Sequence, residues 1–527
     1  MKQIGFKNFR KFENFPMLTL GDITILVGRN NAGKSTMVKA ILLLMDNLQG
    51  AGYNHYSTIK DDNHPAFRFD AAQPHNTHIG TFSRALNNNA KSDELMLEAT
   101  FVDNRHDSQI NQSREINFTI SISITGDKSL NNSVASVSKI RITNNTENTV
   151  FVFDFVKNTM SVAMTEEVKQ TILKDNQKLL KDWEVLRDTF KKETDPIAAA
   201  ELSREMKELE RRVASIKKSS VMKDFEVNTS LRIFNYIDNF DIVSNLISAF
   251  ADYCDHPIEV KNKKSKEYKI EKENKLVLHG YAVNFARFAN DVSYIISRKN
   301  IEYIYAHSVS QKALYSIDDA NDYLAKTLHE YYKANISDNI SVMTYISQWM
   351  QRFQLGHYVK ITPIEGEGYT AKVVNTVSQE ERHLADLGMG SIQLIVLMLR
   401  LAIAIQKYGK SVVKPTIIIE EPEQNLHPAV QSLLAEFFYD VNHTYGLHFV
   451  IETHSEYLIR RSQVVVAENS DNEEWKNPFA VYYFPEDDVP YDMKYTKSGR
   501  FEEKFGEGFF DTASELNMRI IRKERGL

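Results

Sequence analysis

Gly28-Arg29-Asn30-Asn31-Ala32-Gly33-Lys34-Ser35 follows directly on Asp22-Ile23-Thr24-Ile25-Leu26-Val27, a short apolar run rich in β-branched residues. That run predicts a buried strand, and Thr36 through Leu44 reads as a helix. A glycine-rich loop between a strand and a helix N-terminus is an anion site. Successive N–H groups of the curled backbone point at the oxygens, and the helix dipole favours negative charge. The spacing G-x-x-x-x-G-K-S is that of a loop cradling nucleotide phosphates. Gly28, Asn30, Asn31, Ala32 and Gly33 supply the cradle, and Lys34 is the point charge for the β- and γ-phosphates. The Ser35 hydroxyl is the expected ligand of Mg²⁺, and Thr36 is placed to hydrogen-bond the α-phosphate. The ligands implied are ATP and Mg²⁺.

Three further motifs turn binding into chemistry. Ile417-Ile418-Ile419-Glu420-Glu421-Pro422-Glu423 is an apolar strand ending in two adjacent carboxylates, which strand alternation directs to opposite sides. Glu420 is assigned to the metal and Glu421 to polarising an attacking water. Alone, such a pair is often a solvated strand end; paired with the loop at 28–35 it is informative. His448-Phe449-Val450-Ile451 is another apolar run, ending in Glu452-Thr453-His454, and His454 is the candidate sensor of the γ-phosphate, with a capping or core histidine as the alternative. Leu387-Gly388-Met389-Gly390-Ser391-Ile392-Gln393 opens a long apolar helix to about Ile405, and Gly390 and Ser391 form a second anion site, the alternative being a plain glycine-containing cap. One nucleotide needs one phosphate loop per subunit, so this second site is expected to complete the ATP site of another copy.

The 527 residues allow two to four units on length. Apolar residues make up 42% and charged residues 25%, as in globular proteins, and the net charge of −6 argues against a uniformly basic nucleic-acid binder. The single cysteine, Cys254, cannot form an internal disulfide and reads as a small core residue in a reducing compartment. The N-terminus lacks a continuous apolar signal segment. The most apolar stretch, Ile392 to Ile405, is interrupted by Arg400 and reads as too short for a bilayer. The expectation is a soluble, cytoplasmic protein without membrane contact.

Four segments are expected within an α/β architecture. Residues 1–164 carry the phosphate loop and an antiparallel β subdomain, signalled by alternation such as Ile116-Asn117-Phe118-Thr119-Ile120-Ser121-Ile122. Residues 165–225 carry two apolar seams: Leu179, Trp183, Leu186 and Phe190, then Leu202, Met206, Leu209, Val213 and Ile216. Thr194-Asp195-Pro196 breaks the helix between them, which predicts an inserted antiparallel coiled-coil hairpin, against an ordinary packed helix pair. Residues 226–360 read as a helical insert with a lysine-rich run, Lys261 to Lys266, for which a solvated loop is the default and a DNA contact the alternative. Residues 361–527 carry the other three motifs.

These elements, in this order, resemble the non-transporter ABC-class ATPases of the SMC, RecF and OLD-like group. The four motifs match Walker A, Walker B with its catalytic glutamate, the switch histidine and the signature. More narrowly, Asn8-Phe9-Arg10-Lys11-Phe12, Asp386 through Gln393, Glu420 through Pro428, Glu452 through Leu458 and Gly506-Glu507-Gly508-Phe509-Phe510-Asp511 are similar to the OLD-like ATPases of bacterial defence and mobile elements, and an ATPase whose nuclease sits on another chain resembles the subunits of anti-phage systems that are PtuA-like (Septu and retrons) or AriA-like (PARIS). The resemblance is firm over about 1–45 and 380–515. It makes residues 1–164 and 361–527 the two halves of an ATPase head, and implies ATP sandwiched in a homodimer or higher even-numbered oligomer, with Gly390 and Ser391 of one subunit on the γ-phosphate held by Lys34 of another. It also implies Arg10 near the adenine. Gln73 is one candidate for the Q-loop glutamine. Only 73 residues follow His454, little room for the TOPRIM nuclease of OLD proteins, and Glu486-Asp487-Asp488 reads as a loop. The expected partner is therefore a separate effector nuclease of HNH or TOPRIM type, or a retron reverse transcriptase with its nucleic acid. A RecF-like repair ATPase acting directly on DNA is the alternative, and an SMC-like bridging protein using ATP only to dimerise is a third reading.

Overall fold

In a computed structural model the chain divides into two compact units: residues 1–5, 9–45 and 298–527, and residues 6–8 and 46–297. The structure describes residues 1–49, 65–70, 75, 77–107, 112–157, 159–164, scattered positions between 181 and 207, 225–228, 246–248, 284–305, 311–316, 318–319, 322–411, 414–486, 488–506 and 509–524. Most of the expected coiled-coil hairpin at 165–225 lies outside them, as do the lysine-rich run, Cys254 and Gln73.

The first unit is built on a sheet of six described strands, in the order Ile301–Ile304, Thr416–Glu420, His448–Thr453, Ile23–Gly28, Phe479–Phe484, Tyr491–Asp492. The first five run parallel and the last antiparallel. Ile23–Gly28 is buried along its whole length, as its unbroken apolar run requires of a central parallel strand. Register is set across the sheet: Glu420 lies opposite Glu452, and Glu452 opposite Leu26. Since parallel strands all point the same way, their polar carboxyl ends meet at one edge.

Helices cover this sheet. Lys34–Gln49 leaves the glycine loop, and Pro428–Tyr445 and Glu456–Asn469 follow the two acidic strands. Met389–Tyr408 is longer than the apolar stretch read from sequence. At 20 residues it reaches the length of a membrane span, but two thirds of its most apolar window is buried inside the protein. Its Ile392, Ile395, Leu399, Ala402 and Ile405 belong to the core with Ile417, Ile419, Phe437 and Phe449. A smaller antiparallel sheet, Tyr358–Ile364 on Gly368–Asn375 with Tyr315–Ser316 and Glu380–His383 on the latter, belongs to the same unit.

In the second unit, among the described residues, strands run antiparallel in the order Phe225–Asn228, Thr159–Met164, Thr149–Asp154, Val134–Asn144, Gln112–Thr125, Glu94–Asp107, and Ala66–Arg68 pairs antiparallel with Val134–Asn144. This is the alternating segment expected from sequence. A helix over 284–298 packs Phe285 edge-on to Phe151 and Phe288 edge-on to Phe118. Arg114 pairs with the buried Asp291 of that helix.

One polar tie anchors the helix that follows the carboxylate loop. Asp440 of Pro428–Tyr445 accepts hydrogen bonds from Tyr345 Oη at 2.8 Å and Trp349 Nε1 at 2.7 Å, both on Ile340–Arg352. Replacing the carboxylate strands both donors. Asp440→Ala should lower the unfolding free energy of this unit by about 2 kcal/mol, read by denaturant titration, with Asp440→Asn recovering part of it.

Candidate active site

The phosphate loop folds as its glycines demand. Gly33 adopts φ +106, and a Cβ there would lie 2.4 Å from the Phe12 ring. A Cβ at Gly28 would lie 2.4 Å from the Phe484 carbonyl oxygen. Asn31 takes the left-handed conformation that Asn tolerates, and Ala32 and Thr36 are buried while Asn30 is exposed. Thr36 N–H donates to the Gly33 carbonyl at 3.0 Å, closing the first turn.

Lys34 is 2% exposed. Its ammonium donates to the Gly28 carbonyl at 3.0 Å and the Arg29 carbonyl at 2.9 Å, and stands 3.9 Å from Glu452 Oε1. Burial lowers its pKa, against the pull of Glu452, Glu421 and Glu423. Ser35 Oγ donates to Glu452 Oε1 at 2.8 Å. Glu452 is 5% exposed, and its Oε2 has no hydrogen-bond partner among the described residues. Burial pushes its carboxyl up to about 7, with the Ser35 bond opposing and the charge of Glu420 adding.

Glu420 ends its strand opposite Glu452, and the Tyr303 phenol hydrogen-bonds to it. Glu421 lies beyond the strand in a left-handed conformation, φ 45, unusual for a glutamate. Its N–H donates to the Glu452 carbonyl at 2.8 Å, which pins it there. His454 Nε2 stands 3.9 Å from Glu421 Oε1, beyond direct hydrogen-bond range. Burial and then Lys34 lower the His454 pKa, so the neutral imidazole faces the carboxylate.

Glu423 holds the two loops together. Its Oε1 accepts the His454 N–H at 2.6 Å, and burial raises its pKa. Ser455 caps the next helix and donates to Gln431 at 2.6 Å. Glu423 is thus hydrogen-bonded to the His454 backbone, while Glu421 is tied by its own N–H to the Glu452 carbonyl, on the strand that leads into His454.

The signature residues sit on the loop after Glu421. A Cβ at Gly390 would lie 2.2 Å from the Asn425 carbonyl oxygen, so glycine is needed for packing within the chain. Gln393 bonds both Gln424 at 2.8 Å and Asn425 at 3.0 Å. Gly388 is exposed with open space around it, and Ser391 is half-buried.

Arg10 lies in the turn between Gln3–Phe9 and Phe12–Thr19 with φ 50. Its neighbours reach the loop: Lys11 Nζ donates to the Asn31 carbonyl at 3.1 Å and to the Glu486 carbonyl, and Arg29 lies 3.6 Å from Glu486. Lys11, Glu423 and Glu452 were not singled out from sequence. For Glu452 a signal existed, a carboxylate at the end of an apolar strand.

These residues suit a nucleotide with a divalent cation. The glycine cradle cannot accept a Cβ; among the described residues a buried ammonium is supported by carbonyls and a carboxylate 3.9 Å away, and a buried carboxylate oxygen has no partner. Among the described residues no three His, Cys, Asp or Glu side chains group as a self-sufficient metal site. A cation held here is one that arrives with phosphate oxygens, as Mg²⁺ does.

Residues 1–459 match the model of the AAA_15 family, described as an AAA ATPase domain. No curated protein matches the chain. Among solved structures it is similar to an Smc head domain with an extended coiled coil, bound to the C-terminal domain of ScpA and derived from Pyrococcus furiosus. That pair shares 11% identity at a TM-score of 0.35, over 99% of this chain and 99% of the other. It is also similar to an SmcHead bound to the C-winged helix domain of ScpA, at 9% identity and a TM-score of 0.36, over 93% and 96%. At these values the likeness carries no residue-level correspondence.

The raised carboxyl of Glu452 has a consequence for stability. Folded, it keeps its proton to about pH 7; its unfolded reference is 4.5. The folded chain therefore holds more protons in that window, and stability falls as pH rises through it. Glu452→Gln lacks this slope. Between pH 5 and 7.5 the variant should gain on the nucleotide-free wild type, by at most roughly 3 kcal/mol, in denaturant unfolding at each pH.

Proposed function

The chain belongs to the AAA ATPase domain family, and on that premise we propose that it binds ATP with Mg²⁺ at Gly28–Ser35 and hydrolyses the ATP. The observation that carries this reading is the convergence, at one sheet edge, of the loop lysine, the acidic strand end and the histidine. The cation would supply charge neutralisation at the phosphates, held from the protein side by Ser35 and Glu420. Glu421, turned off its strand and facing a neutral imidazole, is suited to accept a proton from an attacking water. His454 would hydrogen-bond the γ-phosphate, its backbone fixed by Glu423. Arg10 remains the candidate for the adenine end.

The active assembly would be a dimer or a higher even-numbered oligomer, in which Gly390 and Ser391 of one copy complete the site of another. The open surroundings of Gly388 support an outward-facing loop. The biological reading that follows is an ATPase subunit of a bacterial anti-phage system that controls a partner effector nuclease. It rests on the motif strings, whereas the proposed coiled-coil insert at 165–225 rests on its two apolar seams and the break at Thr194-Asp195-Pro196. A RecF-like ATPase acting directly on DNA is the second reading. It predicts DNA-stimulated, salt-sensitive turnover.

Glu421→Gln should reduce turnover by at least about a hundredfold while leaving ATP binding intact, and should accumulate an ATP-bound dimer in size-exclusion chromatography. Lys34→Ala should lose nucleotide binding itself. Wild-type turnover in Glu421→Gln would remove the hydrolytic assignment. Co-purification with the neighbouring gene product and phage challenge of a deletion strain separate the defence reading from the repair one. Unchanged phage sensitivity together with DNA-stimulated ATPase would favour repair.

A further inference from the structure

The Ser35 hydroxyl is not held by the Glu420-Glu421 pair. It donates to Glu452, on the strand beside the loop's own. Glu452 and Glu420 are in register on adjacent parallel strands, so both project to the same face. Glu420 is engaged by the Tyr303 phenol. Glu452 gives one oxygen to Ser35 and has the other buried and unpartnered among the described residues, on a side chain only 5% exposed. A buried carboxylate oxygen without a donor is an unsatisfied acceptor, and such groups mark places where a further ligand belongs.

Resting on the nucleotide reading above, we infer that Glu452 is a second acidic residue of the cation site, whose free oxygen takes the hydration shell of the Mg²⁺ that Ser35 binds. The consequence is a dependence of phosphate binding on the cation. Without it, an ionised carboxylate 3.9 Å from the Lys34 ammonium offsets the charge meant for phosphate and repels the phosphate directly. With a divalent ion beside it, the same carboxylate is compensated, and its negative charge favours the cation–phosphate pair. Glu452 thus discriminates Mg²⁺–ATP from free ATP. The motif pair at 420–421 does not by itself account for this, because Glu420 is tied to Tyr303 and Glu421 lies past the strand end.

The test is equilibrium binding of ATP to the full chain at pH 8, with Mg²⁺ and with EDTA. In the wild type Mg²⁺ should tighten binding strongly. In Glu452→Gln, binding in EDTA should tighten severalfold and the Mg²⁺ enhancement should fall by about tenfold or more. Glu452→Asp, shorter by a methylene, should keep the weak binding in EDTA and lose most of the enhancement. It provides the comparison if the glutamine variant does not fold. A wild-type enhancement in either variant would overturn the inference while leaving the nucleotide reading standing. A wild-type chain that binds ATP under neither condition would overturn both.

Discussion

The parallel ladder joining Thr416–Glu420, His448–Thr453 and Ile23–Gly28 sets the position of the carboxylates, the histidine and the phosphate loop relative to one another. It places Glu420 opposite Glu452 and Glu452 opposite Leu26, two residues before the phosphate loop begins. A slip of one residue in either pairing would turn Glu452 to the other face and break its bond to Ser35. The register is held by burial: Ile417, Ile418, Ile419, Phe449, Ile451, Ile25 and Val27 are all core residues, and each slip would drive some of them against the wrong layer. Apolar packing along the strands therefore determines the geometry of charges at their ends.

Those charges are unbalanced. Around the buried ammonium of Lys34 stand Glu421, Glu423 and Glu452, each influencing its pKa. Desolvation drives Lys34 and His454 down and Glu423 and Glu452 up, all toward neutral forms. A site left in that condition accepts charge readily when the charge arrives as a compensated pair. A polyanion bringing its own divalent cation is such a pair. Neither half alone would serve as well, since the anion meets carboxylates and the cation meets too few ligands.

The elements that carry this site were legible in the chain. The strand at 23–28, the helix after it, the acidic strand, the histidine strand and the alternating strands of 94–154 all follow from apolar period and turn chemistry. Less legible was how loops share work. Gly390 reads as a phosphate donor, yet its lack of a Cβ also lets the helix seat on the Asn425 carbonyl. Lys11 and Phe12, next to Arg10, reach the phosphate loop through a turn that no local pattern locates. The helix Met389–Tyr408 runs past the apolar stretch at both ends, with Gln406 and Lys407 interrupting the apolar pattern at the second; within it the Arg400 guanidinium leaves the apolar face to meet Glu330 and lie over the Tyr323 ring.

What the sequence determined by itself was local: a strand, a glycine loop with its lysine and serine, and acidic and histidine residues at the ends of apolar runs. Such features are set by neighbours within a few positions, where period and backbone chemistry act directly. The tertiary structure decided which of those ends meet. Ser35 and Glu452 are 417 positions apart, and Glu423 reaches His454 across 31. Their pairing depends on strand order and register, which arise from burial summed over the whole sheet rather than from any one segment. That is why two neighbouring glutamates could be recognised at once as candidates for the chemistry, and why the carboxylate that holds the loop serine emerged only from the fold.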